Sequence, residues 1–332
     1  MNSSTNSTCV RSLLWTQSAI NDRQSRLDTC IVASIIHGIF WLQLVFCSSV
    51  RQRSIQWIYA YLITDIFLLF RFLFVYVIRT TSFQCNPNRS WVLFVCYFEA
   101  TVDNYFNVLE VYILLALNIF RYVQIAYNRN VYQVYKKTLI LTHLGIYVLT
   151  LLFFFIQIVF GWTQLKEYVN DRCEIFYTNI TIQVFNIILG FALPICLNIL
   201  VIYMSIKHIH LKSVIRRGQH HVSAREKYHR TLVIQFIVFY AIWLGLWSPN
   251  VIIFQVAIGS ANLTSTVRLL NFIEIALDPI IIGALDVRFW QAWKTFARSI
   301  KNRLLANEVQ QRRIHPTATN PNVFSIKTPH LR

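Results

Sequence analysis

Residues 91–122 read WVLFVCYFEATVDNYFNVLEVYILLALNIFRY, a run of 32 residues that is apolar throughout except for a few polar positions. As a helix rising 1.5 Å per residue it would be about 48 Å long, well beyond the ~30 Å of hydrocarbon in a bilayer. It should therefore tilt, protrude at one face and act as the central strut of a bundle. Asp103, Asn107, Glu110 and Arg121 fall on one stripe of this helix, so polarity runs from one end of it to the other.

Six more stretches of membrane-spanning length flank it, over 30–46, 58–78, 139–160, 180–206, 232–258 and 267–285. The composition agrees: 55% of the residues are hydrophobic, 15% aromatic and only 14% charged, too apolar for one soluble domain of 332 residues. Gly and Pro, at 8 and 7, are too few for the loops of a sheet-rich fold. The net charge of +17 does not mark a nucleic-acid binder, because the basic residues alternate with apolar blocks. The expected fold is all-α, a seven-transmembrane bundle spanning 30–286. A segment over 1–29 precedes it, an amphipathic helix over 287–305 follows on the inner leaflet, and a disordered tail covers 306–332. In that amphipathic segment Phe289, Trp293, Phe296 and Ile300 share one face, with Arg288, Lys294, Arg298 and Lys301 near anionic lipid.

With the N-terminus outside, the outer segments hold 8 basic residues and the inner ones 22, which satisfies the positive-inside rule. Sequons at Asn2, Asn6, Asn88, Asn179 and Asn262 all fall on the outer face. The chain is therefore expected to be a glycosylated multi-pass protein of the plasma membrane with a cytoplasmic C-terminus. Cys9, Cys30, Cys85, Cys96 and Cys173 lie outside or at the outer rim, where disulfides persist.

A charge at membrane depth costs roughly 2.5–3.5 kcal/mol on insertion scales, so each needs a partner or a water-filled cavity. Asp65 in the second span and Asn271, Glu274 and Asp278 in the seventh can converge with Glu110 on one core. Asp65, Glu110, Glu274 and Asp278 cannot all ionise together without a cation, because like charges repel strongly in a low dielectric. Either some stay protonated or a cation such as sodium sits there; the bland alternative is that one or two bond backbone at a helix break.

At these residues the chain resembles the rhodopsin-like (class A) G protein-coupled receptors, from about Cys30 to Ile300. Phe120-Arg121-Tyr122 stands where that family's acid-Arg-Tyr motif closes the third helix. Asp65 matches the second-helix aspartate and Pro194 the fifth-helix proline. Leu246-Trp247-Ser248-Pro249 resembles the sixth-helix switch, and Asp278-Pro279 followed by three isoleucines resembles the seventh-helix Asn-Pro-x-x-Tyr. Cys96, 25 residues before Arg121, holds the family's place for the cysteine bridged to the second outer loop, which implies a Cys96–Cys173 disulfide.

The resemblance implies that ligand binding is converted into nucleotide exchange on a heterotrimeric G protein, with Arg121 and Tyr122 at the coupling face and Trp247, Pro249, Asp278 and Pro279 in the switch. Each of Pro194, Pro249 and Pro279 removes a backbone bond and should bend its span. The departures are Phe120 for the acid, Ile282 for the seventh-helix Tyr, His37 for the first-helix Asn, and no fourth-helix Trp. Lys227, His229 and Arg230 occupy the sixth-helix foot, so the ionic restraint of the inactive state is missing and basal activity should be raised.

The expected ligand site is built from Glu99, Asp103, Asn107, Trp247, Asn250, Arg268 and Phe272. Asp103 stands where amine receptors keep their counter-ion, 18 residues before Arg121, but the aromatic and serine companions of an amine site are absent. Arg268 is a candidate to neutralise Asp103 directly, and Arg71 and Arg79 either join this mixed-charge cavity or snorkel to the surface. A peptide or small zwitterion suits such a cavity better than a lipid. Phe272 replaces the retinal lysine of opsins, so no retinal is expected and the one cofactor considered is sodium. No catalytic constellation is found: His208, His210, His220 and His221 lack partners at metal-ligand spacing. Few Ser and Thr follow Ser299, which argues against strong arrestin recruitment. The rivals are a seven-helix ion or proton transporter using the carboxyl cluster, and a receptor-like protein that does not signal.

Overall fold

The computed structural model describes residues 13–46, 56–81, 88–127, 136–167, 173–216, 224–256 and 261–285, with seven positions between 291 and 302. Seven long helices account for most of them: α1 (Gln17–Phe46), α2 (Gln56–Thr81), α3 (Arg89–Tyr127), α4 (Lys136–Val159), α5, α6 (Ala224–Val256) and α7 (Ala261–Leu285). α5 starts as Ile180–Ile187, widens into a π turn over Ile188–Ala192 and resumes as Leu193–Arg216. Packing of α1 on α2 and α7, α2 on α3, α3 on α4 and α5, and α6 on α5 and α7 closes the bundle.

Six of the helices are long and apolar enough to cross a membrane. The seventh, α7, carries Arg268, Glu274 and Asp278 and is held among the others by its packing on α1 and α6. The outward faces form an apolar belt, with Ile35, Phe70, Leu149, Phe155 and Leu200 each more than half exposed. No water-facing surface of a soluble monomer is so continuously apolar.

α3 is the strut expected, and at 39 residues it is longer than its apolar run. Its start is fixed by Asn88, whose Oδ1 accepts the Ser90 backbone N–H at 3.1 Å. α1 departs further from expectation, beginning 13 residues before the apolar stretch. Thr16 Oγ1 caps it by accepting the Ala19 N–H at 3.2 Å, and i,i+4 contacts of Gln17 with Asn21, Asp22 with Arg26 and Gln24 with Asp28 support its first turns.

Between α4 and α5 lies a hairpin of β1 (Thr163–Glu167) and β2 (Cys173–Tyr177), antiparallel, with Leu165 opposite Ile175 and Glu167 opposite Cys173. α4 is stopped by Gly161 at φ +65°, with Gly161 N bonded to Ile158 O and Trp162 N to Gln157 O, a Schellman closure that only a residue free of a Cβ penalty takes easily. Cys173, the first residue of β2, is disulfide-bonded to Cys96 of α3 (Cα–Cα 5.1 Å), as the family resemblance implied.

The prolines act unequally. α6 and α7 continue as helices through Pro249 and Pro279, whereas the turn before Pro194 becomes the π segment. There the Leu189 carbonyl accepts the Tyr112 hydroxyl at 2.8 Å, and Gly190 lies against Val108. Trp243 and Trp247 stack 4.6 Å apart in the centre of the core, with Tyr240 and Phe191 extending the aromatic column. Phe120, which stands where relatives carry an acid, is buried against Trp57, and Trp57 in turn stacks on His143 at 3.6 Å.

Of the expected amphipathic segment over 287–305, Phe289, Trp293, Phe296 and Ile300 lie outside the described residues. Lys294, Arg298 and Lys301 are helical and exposed. The tail 306–332, Asn2, Asn6, Cys9, Cys85, His220 and His221 are likewise outside, as are the side chains of Lys227, His229, Arg230 and Asn262.

Candidate functional site

Polar side chains converge at three levels along α3. The first is the end that carries the disulfide, where a cavity of about 70 Å³ is lined by Glu99, Asp103, Asn250, Arg268, Asn271 and Phe272 among others. Asn107 and Trp247 sit below it, with Trp247 Nε1 donating to Asn107 Oδ1 at 3.2 Å.

Among the described residues, three ion pairs that join one element to another set the electrostatics of this level. Arg71 of α2 meets Asp103 at 2.7 Å and also donates to the Glu99 carbonyl at 2.5 Å. Arg79, 1% exposed, meets the Glu99 carboxylate at 2.7 Å, Cys173 Sγ at 3.1 Å and the Leu13 carbonyl at 3.3 Å. Arg268 of α7 reaches Glu174 on β2 at 2.8 Å.

One expectation is thereby corrected. Asp103 is neutralised by Arg71 rather than Arg268, because the hairpin, which hydropathy does not position, offers Arg268 its own carboxylate. Of the two courses left open for Arg71 and Arg79 the structure takes the first: both turn into the bundle, because α3 presents Asp103 and Glu99 to them directly.

The second level is mid-bundle. The Tyr61 hydroxyl lies 2.8 Å from Glu274 Oε1 and 2.5 Å from Asp278 Oδ2, and with one proton to give it serves one carboxylate at a time. Asp65 and Glu110 are close enough to interact with each other and with the α7 pair. All four carboxyls are at most 1% exposed. Both Asp65 oxygens, Glu110 Oε1 and Glu274 Oε2 have no hydrogen-bond partner, and no ion pair joins the four to a cation among the described residues. Orphaned carboxylate oxygens at this depth suit protons or a small hard cation. Among the described residues no three acidic, His or Cys groups are already arranged to hold a metal ion. Asn271, grouped with these carboxyls from sequence, lines the upper cavity instead.

The third level is the opposite end of α3. Arg121 is half-buried there, and the Tyr122 ring meets His208 of α5 edge-on at 6.4 Å. Asn118 donates to Asn198 at 2.6 Å just above, tying α3 to α5.

Sequence reading missed Tyr61, although it lies one turn from Asp65 on the same face of α2. It also missed Trp15, Arg23, Arg26 and Glu174 at the cavity, since no pattern distinguishes them from a polar segment outside the membrane. His37, the departure on α1, bonds the Ile275 carbonyl at 3.0 Å and so joins α1 to α7. Asn88 and Asn179 are exposed helix caps whose Oδ1 atoms accept backbone N–H groups.

A multi-pass helical bundle with a disulfide-braced hairpin over a polar cavity at one end has the architecture of a transmembrane receptor. The model of the 7 transmembrane receptor (rhodopsin family) matches residues 28–281, about three quarters of the chain, and the protein belongs to that family. No curated protein matches the chain.

Proposed function

We propose that this receptor sits in the plasma membrane with its disulfide end outside, and that it couples ligand occupancy of the charged cavity to nucleotide exchange on a heterotrimeric G protein at the Arg121 end. The observation that carries the proposal is the polar path along one helix. Its successive levels are Asp103 with Asn107 and Trp247, then Glu110 with Asp65 and the Tyr61, Glu274 and Asp278 group, then Arg121 and Tyr122. A ligand that binds one arrangement of that path better than another shifts the bundle between states.

The ligand is a peptide or a small zwitterion. Arg71 already satisfies Asp103, so a lone ammonium would compete with a fixed guanidinium, whereas a molecule bearing both charges can exchange partners with an ion pair. In the core, Asp65, Glu110, Glu274 and Asp278 would hold protons or a sodium ion, which supplies the charge that none of the described side chains provides. The inner partners are the G protein and membrane lipid, with arrestin recruitment weak. Phe120, packed on Trp57, stands where relatives carry an acid, and that departure favours basal signalling.

Nucleotide exchange without ligand, measured on a panel of G proteins in membranes bearing this chain, tests the reading. Exchange above empty membranes that is lost in Arg121→Ala, at matched surface expression, is the expected result. The unpaired carboxyls favour one rival, an ion or proton transporter. Flux that persists without any G protein and is lost in Asp65→Asn, with no exchange on any G protein, would establish it in place of the receptor.

A further inference from the structure

A recess of about 230 Å³ lies between α3, α4 and α5 and shares no lining residue with the charged cavity. The π turn of α5 helps to make it. Gly190 in that turn brings no side chain toward α3, and a Cβ there would come within 3.4 Å of Val108 Cγ2. Phe153 of α4 forms part of the opposite wall, and Leu149, which belongs to the apolar belt of the bundle, is 67% exposed at the rim. The recess therefore opens toward hydrocarbon, and none of the residues lining it is charged.

Two hydroxyls interrupt this apolar lining, those of Thr150 on α4 and Tyr112 on α3. A threonine inside a helix commonly returns its hydroxyl to the carbonyl four residues back, as Thr142 of the same helix does to Thr138 at 2.8 Å. Thr150, 5% exposed, does not. Among the described residues no group bonds its hydroxyl, and that oxygen is not sealed inside the core. Tyr112 gives its proton to the Leu189 carbonyl at 2.8 Å, and its oxygen keeps room to accept a further bond. Thr150 lies well inside α4, at a depth where water does not stand in for a missing partner.

These walls select an occupant. A charged molecule would be stranded among them. A lipid acyl chain would fill the space and leave the Thr150 hydroxyl without a partner. An apolar cavity of about 150 Å³ takes a benzene ring, so about 230 Å³ has room for a ring with small substituents.

We propose that this recess is a second binding site, entered from the bilayer, for a ring-sized lipophile bearing one hydroxyl, the chemistry of an alkylphenol. The ligand hydroxyl bonds Thr150, and the ring packs among Val108, Phe153 and Gly190. It thereby loads the joint of α3 and α5 beside the Tyr112–Leu189 bond without entering the charged cavity. The site rests on the bundle alone, and its test involves no G protein, so it fails separately from the proposed function.

The full chain in phosphatidylcholine vesicles is photolabelled with a phenol carrying a para trifluoromethyl-diazirine, and in parallel with the same diazirine on an otherwise unsubstituted benzene ring. Each reaction is run with and without excess para-tert-butylphenol, and labelled positions are read by mass spectrometry. The phenol probe is expected to label the stretch 146–153 of α4, and the competitor to displace it. Thr150→Val should lower that labelling about two- to tenfold, the worth of one hydrogen bond, and leave labelling by the benzene probe unchanged. Thr150→Ser, which keeps a hydroxyl, should stay near the parent. Leu149→Trp, placed at the exposed rim, should lower labelling by both probes and keeps the test open if Thr150→Val does not fold. Phenol labelling that the competitor does not displace, or that is equal in Thr150→Val and the parent, would leave lipid chains as the occupant and overturn the proposal.

Discussion

The disulfide end and the middle of the bundle are both built from side chains of α2, α3 and α7, yet they treat their acidic groups in opposite ways. Near the disulfide, Glu99, Asp103 and Glu174 each meet an arginine at 2.7–2.8 Å. In mid-bundle, Glu274 and Asp278 share one tyrosine hydroxyl, and Asp65, Glu110, Glu274 and Asp278 meet no arginine or lysine among the described residues. An arginine is tolerated near a helix end, where its long stem and five donors find water, carbonyls and carboxylates together; at mid-depth it would add a second desolvated charge. A fixed guanidinium neutralises its partner permanently. A core left without one depends on a mobile charge, so its state can vary, which is what a bundle with two conformations requires.

The largest expected effect comes from breaking the most buried pair. Arg79→Ala leaves the Glu99 carboxylate in a site only 10% exposed and removes the links to Leu13 and Cys173. Loss of about 3–5 kcal/mol is expected, seen as a collapse of surface expression and a much lower thermal midpoint in detergent. Replacing both partners by Leu should recover a good part of it, because no charge is then stranded. If the single and double variants are equally impaired, the contrast with the core fails.

In the core, Tyr61→Phe removes the one donor shared by Glu274 and Asp278 and should cost about 1.5–3 kcal/mol. Asp65→Asn should move the other way, gaining about 1–3 kcal/mol, because it takes one of four crowded acids, whose oxygens have no hydrogen-bond partner, out of a core that otherwise needs a proton or cation there. Opposite signs in the thermal midpoints of these two variants sharpen the comparison. A destabilising Asp65→Asn would mean that a bound cation is already part of the resting protein, and the loss should then grow with sodium concentration.

How legible these layers were in the sequence follows from what each rests on. The strut α3 and the carboxyl core were visible because apolar length and depth are properties of composition and period. The cysteine pair came from resemblance and not from spacing. The extension of α1 was hidden because its turns are stabilised by a Thr cap and i,i+4 polar contacts, to which hydropathy is blind. The hairpin was hidden because its two strands are only five residues each. With the hairpin unseen, Glu174 was unseen, and Arg268 was left to be matched with the nearest known acid, Asp103.

That mismatch gives the smallest and most discriminating prediction. The pairs Arg71–Asp103 and Arg268–Glu174 keep 14–27% of their side-chain exposure, so each should contribute only about 0–1 kcal/mol after solvent screening. Single variants therefore say little, since a lost charge and a lost contact are confounded. Double-mutant cycles separate them: Arg71→Ala with Asp103→Ala should show a coupling of a few tenths to about 1 kcal/mol in thermal stability, and Arg268→Ala with Asp103→Ala should be additive within about 0.3–0.5 kcal/mol. The Arg268 and Glu174 cycle should couple like the first and weaken as salt is raised, because both partners face the cavity. Coupling of Arg268 to Asp103 in place of Glu174 would detach the hairpin from the charge balance of the cavity and leave α2 and α3 as its sole fixed pair.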